Sequence, residues 1–350
     1  MDLKKLLALM VSRRASDLIL SAGSPPTLRV DGKLASLQMP ALDAQECRDT
    51  ILQCMGDLQQ QDLEGQKDSD FSYGVPALGR FRVNVHCQRG STAAAIRLVS
   101  ASTPAIGDLG LPPVVTELAD SAKGLVLITG PTGSGKSTTL AAMVQRINET
   151  RRCHVITVED PIEHVFNNDK SIIEQREVGA DTPGFAQALK HVLRQDPDVI
   201  MIGEMRDRET IAAAITAAET GHFVLSTLHT NDSAQTIDRI VDVFPGDTQP
   251  QIRLQLSMVL VGILSQQLIE KRGGSGRTVA CEVLVNTPGI ANLIRKGETA
   301  QIKNAVMTGA ASGMISMQKS VQSLASAGVI DKDSAGARQL TMAGMTTTTG

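Results

Sequence analysis

The chain has no tryptophan, one tyrosine and only six phenylalanines in 350 residues. Proteins that hold single-stranded nucleic acid without sequence preference stack bases on aromatic side chains, so that mode of binding is disfavoured. A net charge of −3 gives no overall basic footprint for a phosphate backbone, and no nucleic-acid partner is expected. The cysteines, Cys47, Cys54, Cys87, Cys153 and Cys281, are odd in number, scattered and never spaced C-x-x-C. That argues against a disulfide framework or a zinc ribbon and fits a reducing cytoplasm. No apolar run approaches the roughly 18 residues of a membrane span. The most apolar stretch, Met258 to Leu264, is short and flanked by Ser257 and Ser265-Gln266-Gln267. The opening Met1-Asp2-Leu3-Lys4-Lys5-Leu6-Leu7 lacks the apolar centre and cleavage site of a signal peptide. A soluble cytoplasmic protein is expected.

What the sequence does have is a phosphate cradle. Leu125-Val126-Leu127-Ile128 reads as a buried parallel strand. It runs into Gly130-Pro131-Thr132-Gly133-Ser134-Gly135-Lys136-Ser137-Thr138, which satisfies G-x-x-x-x-G-K-S/T. Leu140, Met143, Val144 and Ile147 then repeat at helical spacing. Glycines let successive backbone N–H groups turn toward a phosphate, and the helix N-terminus adds partial positive charge. Lys136 is placed to reach the β- and γ-phosphates of ATP, and the Ser137 hydroxyl to bind Mg²⁺.

Downstream, apolar strands alternate with amphipathic helices, the pattern of a parallel α/β sheet. His154 to Val158 leads into Glu159-Asp160-Pro161-Ile162-Glu163, acids at the strand edge where open α/β sheets bind ligands. Val199 to Ile202 ends in Gly203-Glu204, an acid at the Walker B position that can hold Mg²⁺ or orient water. Phe223 to Leu228 ends in His229, beside the same expected edge. Glu204 is the first choice for the residue that positions or deprotonates the attacking water, and Glu163 the alternative. From Pro245 to about Ile330 the chain reads as mostly helical, with a strand near Val279 to Val285.

The first hundred residues combine an apolar helical stripe (Leu3, Leu6, Leu7, Met10, Val11), an Asp31-Gly32 hairpin and a strictly alternating Arg80-Phe81-Arg82-Val83-Asn84-Val85-His86. Arg80, Arg82 and, on the next expected strand, Arg97 either line a solvated face or supply charge to a phosphoryl-transfer site. The expected organisation is a small α+β domain over 1–100, a Pro/Gly-rich linker over 101–113, an ATPase domain over 114–335 and a disordered tail over 336–350.

GPTGSGKSTTLAAM, ITVEDPIEH, QDPDVIMIGEMRDRET and TAAETGHFVLSTLHTNDSAQTIDRIVDVFP occur in that order. With SDLILSAGSPPTLRVDGKL and GRFRVNVHCQRG they resemble, over roughly residues 1–330, the PilT/PilU family of twitching-motility ATPases in the secretion-ATPase superfamily. The resemblance implies an α/β fold in which a PAS-like domain precedes a RecA-like P-loop ATPase domain. It also implies a homo-hexamer, peripheral at the inner membrane, that works the pilus platform protein, with a paralogous pilus ATPase as a further partner. By motif, Glu159, Asp160 and Glu163 form an acidic box and His222 and His229 a histidine box. Arg80, Arg82 and Arg97 match arginines that approach the nucleotide. The absence of a four-cysteine zinc motif favours the retraction branch. Gly289-Ile290-Ala291-Asn292-Leu293-Ile294-Arg295-Lys296, where that branch resembles AIRNLIRE, leaves the accessory PilU-like branch open. A nucleic-acid translocase and a small-molecule kinase are the competing P-loop readings.

Overall fold

Alternation in the Arg80–His86 stretch puts Phe81, Val83 and Val85 into one core, where all three are fully buried. The structure, a computed structural model, describes residues 1–99, 103–274 and 276–331. The expected tail over 336–350, the end of the expected ATPase domain and residues 101–102 of the expected linker lie outside the described residues.

The chain divides into two units: Met1–Ser102 with Asp160–Phe166, and Thr103–Glu159 with Asn167–Gly350. The first contains α1 (Leu3–Ser12), β1 (Asp17–Leu20), β2 (Thr27–Val30), β3 (Lys33–Ser36), α2 (Ala44–Leu52), α3 (Asp57–Gln66), β4 (Asp68–Val75), β5 (Gly79–Gln88) and β6 (Ser91–Leu98). Its strands form one antiparallel sheet in the order β3-β2-β1-β6-β5-β4. The stripe of α1 buries Leu3, Leu6, Leu7 and Met10 in the same core as β5. Asp43 and Glu46 close a reciprocal capping box at the start of α2, as their spacing predicts.

The second unit carries α4 (Val114–Ala119), β7 (Gly124–Thr129), α5 (Lys136–Thr150), β8 (His154–Glu159), β9 (Ile172–Glu177), α6 (Phe185–Val192), β10 (Val199–Ile202), α7 (Arg208–Glu219) and β11 (Phe223–Leu228). It continues through α8 (Ser233–Asp242), α9 (Gln249–Val259), β12 (Leu260–Glu270), β13 (Arg277–Val285), α10 (Pro288–Lys296), α11 (Ile302–Thr308) and α12 (Met317–Ser326). The sheet order is β13-β12-β7-β11-β10-β8-β9, parallel throughout except for β13, which runs antiparallel to β12. Leu125 and Leu127 pack into a core shared with α6 to α9, while the alternate residues Val126 and Ile128 are equally buried on the other face. Both faces are covered, so β7 reads as a continuous apolar run.

The expectation of a mostly helical stretch after Pro245 is corrected at β12. The strand begins at Leu260, directly after α9 ends at Val259, with no turn between them. Met258 to Leu264 has neither proline nor a turn cluster to punctuate it, and periodicity cannot separate a buried strand from a buried helix there. Its only glycine, Gly262, sits where a Cβ would come within 2.7 Å of Leu118 Cδ2 and 2.8 Å of Leu284 O. That glycine serves close packing, not a turn.

Candidate active site

The phosphate cradle leaves the sheet at Thr129, the last residue of β7. Gly130 has φ 142°, and a Cβ there would run into Gln266 O and lie 2.7 Å from Ser134 Oγ. Gly135 caps α5 in the left-handed region at φ 90°. Lys136, the first residue of α5, is buried and folds back over the loop, its Nζ donating to Gly130 O at 2.8 Å and Pro131 O at 3.1 Å. Ser137 is exposed and Thr138 half-buried on the same first turn, where the unpaired N–H groups and partial positive charge of the helix lie. A cleft of about 240 Å³ runs between Pro131, Thr132, Gly133 and Ser134 on one side and Gln267, Leu268 and Arg277 of the β12–β13 hairpin on the other.

Two further predicted residues meet at the same sheet edge. Ile202 is level with Ser226, and Ser226 with Leu127, so β10 ends beside β11 and β7, with Glu204 two residues beyond its end. Thr227 grips the backbone on both sides of Glu204: Met205 N donates to Thr227 O at 3.1 Å, and Thr227 Oγ1 donates to Gly203 O at 2.6 Å. Glu204 Oε2 lies 3.5 Å from His229 Nε2 and 2.8 Å from Arg206 Nε. The acid just past β10 and the histidine just past β11 thus face each other beside the P-loop strand.

The turn that leads away from Glu204 is held by Asp207, whose carboxylate accepts from Thr210 N at 2.8 Å and Thr210 Oγ1 at 2.7 Å to cap α7. Partial burial pushes this carboxyl up, but those donors together hold it below the ordinary aspartate value. A depressed folded value means that the capping stabilisation is present above the unfolded pKa and disappears as pH falls through the folded one. Asp207→Ala is expected to cost roughly 1 kcal/mol at neutral pH. In urea unfolding, the gap between variant and wild type should close as the pH falls below about 4.

The acidic box is divided. Glu159 ends β8 in the second unit, where its buried Oε1 accepts from Thr157 Oγ1 at 2.6 Å and Gln175 Nε2 at 3.1 Å. Asp160 and Glu163 belong to Asp160–Phe166, which groups with the first unit. The arginines lie in that unit too, Arg80 and Arg82 on β5 and Arg97 on β6 directly across from Arg82. Arg97 Nε is 2.8 Å from Asp17 Oδ1, and Asp17 also faces Arg29 at 3.6 Å. The charge of Arg97 is therefore matched within its own sheet.

His222 is not where a nucleotide ligand of its own P-loop must be. It precedes β11, and its backbone carbonyl accepts from Gly124 N at the start of β7. Strands of this length put it roughly 20 Å from the edge carrying the P-loop, at about 3.3 Å per residue. Its Nδ1 is engaged by Ala217 O at 2.9 Å and Thr220 Oγ1 at 3.1 Å. Motif membership grouped His222 with His229, but the intervening strand separates them.

Sequence reasoning passed over the residues that brace the cradle from β12. Gln266 Nε2 donates to Ser134 O at 3.0 Å from a buried position, and Thr129 Oγ1 donates to Ser265 Oγ at 2.8 Å. The available signal was the Ser265-Gln266-Gln267 run, amides and a hydroxyl inside an otherwise apolar strand.

The chain is 46% identical over 335 residues to the type IV pilus retractation ATPase PilT of Pseudomonas aeruginosa, covering 96% of this chain and 97% of that protein. It is 40% identical over 335 residues to the type IV pilus ATPase PilU of the same organism, covering 96% and 88%. A crystal structure of the pilus retraction motor PilT with bound ADP matches with a TM-score of 0.89 at 46% identity, covering 96% of each chain. The model of the type II/IV secretion system protein family matches residues 4–347. The chain belongs to that family, within its PilT/PilU group.

The α/β fold expected from the motifs is thus the fold of this secretion-system family member. Among the described residues no group of His, Cys, Asp and Glu side chains is arranged to hold a metal ion by itself, and no helix is long and apolar enough to cross a membrane. Of the residues the motifs single out, the exposed Ser137 hydroxyl and the Glu204 carboxylate carry oxygens of the kind that could ligate a hard cation such as Mg²⁺.

Proposed function

We propose that this chain is an ATP-hydrolysing motor that drives type IV pilus retraction, working in the cytoplasm as a homo-hexamer on the platform protein at the inner-membrane base of the pilus. The observation that carries the reading is the shared edge: the P-loop follows β7, and Glu204 and His229 follow β10 and β11 of the same sheet. Its near full-length likeness to a pilus retraction motor supports the same conclusion.

ATP enters with its phosphates on the N–H groups of Gly133 to Ser137, and Lys136 exchanges Gly130 O and Pro131 O for the β- and γ-phosphates. Ser137 and Glu204 would hold Mg²⁺, which when bound would supply positive charge to the phosphate oxygens. Glu204 accepts a hydrogen bond from the attacking water and takes its proton as the water oxygen bonds to the γ-phosphorus and the bond from that phosphorus to the β–γ bridging oxygen breaks, leaving ADP and inorganic phosphate. His229 holds that carboxylate in place. Arg80 and Arg82, on β5 of the small PAS-like domain, are the further source of positive charge for the transition state in this reading.

An accessory, PilU-like role is the second reading, favoured by Ala291 on α10 at the place of the first arginine of AIRNLIRE. A pilus-retraction-deficient deletion strain carrying this chain separates the two. Retraction in the absence of a second ATPase is expected; retraction that returns only when a second pilus ATPase is present assigns the accessory role.

A further inference from the structure

Glu282 has no part in the chemistry above, yet it occupies a costly position. It lies on β13 opposite Ser265 of β12, and Ser265 in turn stands opposite Thr129 of β7. The row Glu282, Ser265, Thr129 therefore crosses the sheet at the level where the P-loop departs. The carboxylate does not face solvent freely. Its Oε1 accepts from Ser233 N at 2.9 Å and from Ser233 Oγ at 2.7 Å.

Ser233 is the buried first residue of α8, and His229 to Asp232 is all the chain between it and the end of β11. The remaining contacts of that corner converge on the same short loop. Asp232 caps α8 through Gln235 N at 2.8 Å and faces Lys303 Nζ of α11 at 3.3 Å. Thr236 Oγ1 donates to Asp232 O at 2.7 Å and sits 2.7 Å from Thr230 Oγ1. His229 is thus suspended between two fixed points, Leu228 in the sheet and Ser233 in the grip of Glu282. Burial pushes the Glu282 carboxyl above its ordinary value, and nearby Asp232 adds to this; the Ser233 donors and Lys303 work against them. A half-buried carboxylate on the first N–H of a helix is electrostatically well matched to that helix, but an apolar side chain would avoid its desolvation cost. Its gain is geometric: it fixes one end of the histidine loop to the strand row that also carries the P-loop.

We propose that Glu282 is a positioning residue for ATP hydrolysis, which holds the start of α8 so that His229 stays against Glu204. This rests on the reading of Glu204 and His229 as hydrolytic groups. Glu282 touches no substrate, so its loss acts on turnover and leaves nucleotide binding by the P-loop in place.

The test is steady-state ATP hydrolysis by the full chain, with thermal melting and fluorescent-ADP titration alongside. Glu282→Ala is expected to lower kcat by about 10- to 100-fold, the range that small misplacement of a catalytic group produces, with KM for ATP and ADP affinity little changed. Glu282→Gln keeps an Oε1 that accepts from Ser233 and should restore most of kcat. In a His229→Ala background, Glu282→Ala should add almost nothing, because both changes remove one interaction. If Glu282→Ala does not fold, Ser233→Ala, alone and with His229→Ala, carries the same cycle. Unchanged kcat in Glu282→Ala, no restoration by Gln, or equal losses with and without His229 would overturn the proposal. Full activity in His229→Ala alone would instead sink the underlying role of His229.

Discussion

Replacing Lys136 with alanine is expected to reduce ATP turnover by about 10²–10³-fold, the usual loss when one electrostatic contact to a transferring phosphoryl group is removed. The structure gives a reason to expect the upper end. Lys136 is buried at the first position of α5, and its ammonium satisfies Gly130 O and Pro131 O at 2.8 and 3.1 Å. It thus braces the loop backbone and, in the proposed mechanism, also neutralises phosphate. Alanine performs neither, because the two carbonyls lose their donor and the β- and γ-phosphates lose their cation. Binding should weaken together with kcat, in contrast to a change that touches only the transition state. Phosphate-release kinetics and nucleotide titration of the purified variant check both halves. An enzyme that keeps turnover within a few-fold of wild type would remove the P-loop from the mechanism. Thermal melting should show the fold retained, since β7 and the buried face of α5, with Leu140, Met143, Val144 and Ile147, are untouched.

Much of this site was legible in the sequence because its parts are local. The Gly130 to Ser137 spacing, the strand before it and the helix after it lie within one stretch of chain, and the structure has each in place. Glu204 and His229 were legible for a related reason: each directly follows an apolar strand, and parallel strands deliver their ends to one edge. Failures occur where the information is not local. Gln266 acts on a residue more than a hundred positions away, from a strand whose apolar pattern merges with the helix before it, and Glu282 on one about fifty positions away. His222 is the opposite case: it is close to His229 in sequence, but a whole strand lies between them. Arg97 looked like a free charge only because its partner Asp17 sits at the far end of the same small domain's sequence.

The choice between Glu204 and Glu163 as the group that handles water predicts the other large effect. Glu204→Gln is expected to lower kcat by about 10²–10³-fold while ATP binding persists, because glutamine keeps the shape of the side chain and loses its ability to take a proton. The geometry favours Glu204. It follows a strand two places from β7 in the same sheet, its backbone is clamped by Thr227 on both sides, and its Oε2 already has His229 and Arg206 as partners. Such restraint is what a water-positioning group requires, since a carboxylate that wanders gives away most of the advantage of proximity. Glu163, by contrast, lies four residues beyond Glu159, where β8 ends, whereas Glu204 lies two beyond the end of β10. Glu163→Gln should therefore cost less than Glu204→Gln in single-turnover hydrolysis, where product release does not enter. The diagnostic result is the ordering. A Glu204→Gln enzyme that still cleaves bound ATP, beside a Glu163→Gln enzyme that binds ATP and leaves it intact, would transfer the role of base to Glu163. Glu204 would then retain only the Mg²⁺-side function that its place at the end of β10 allows.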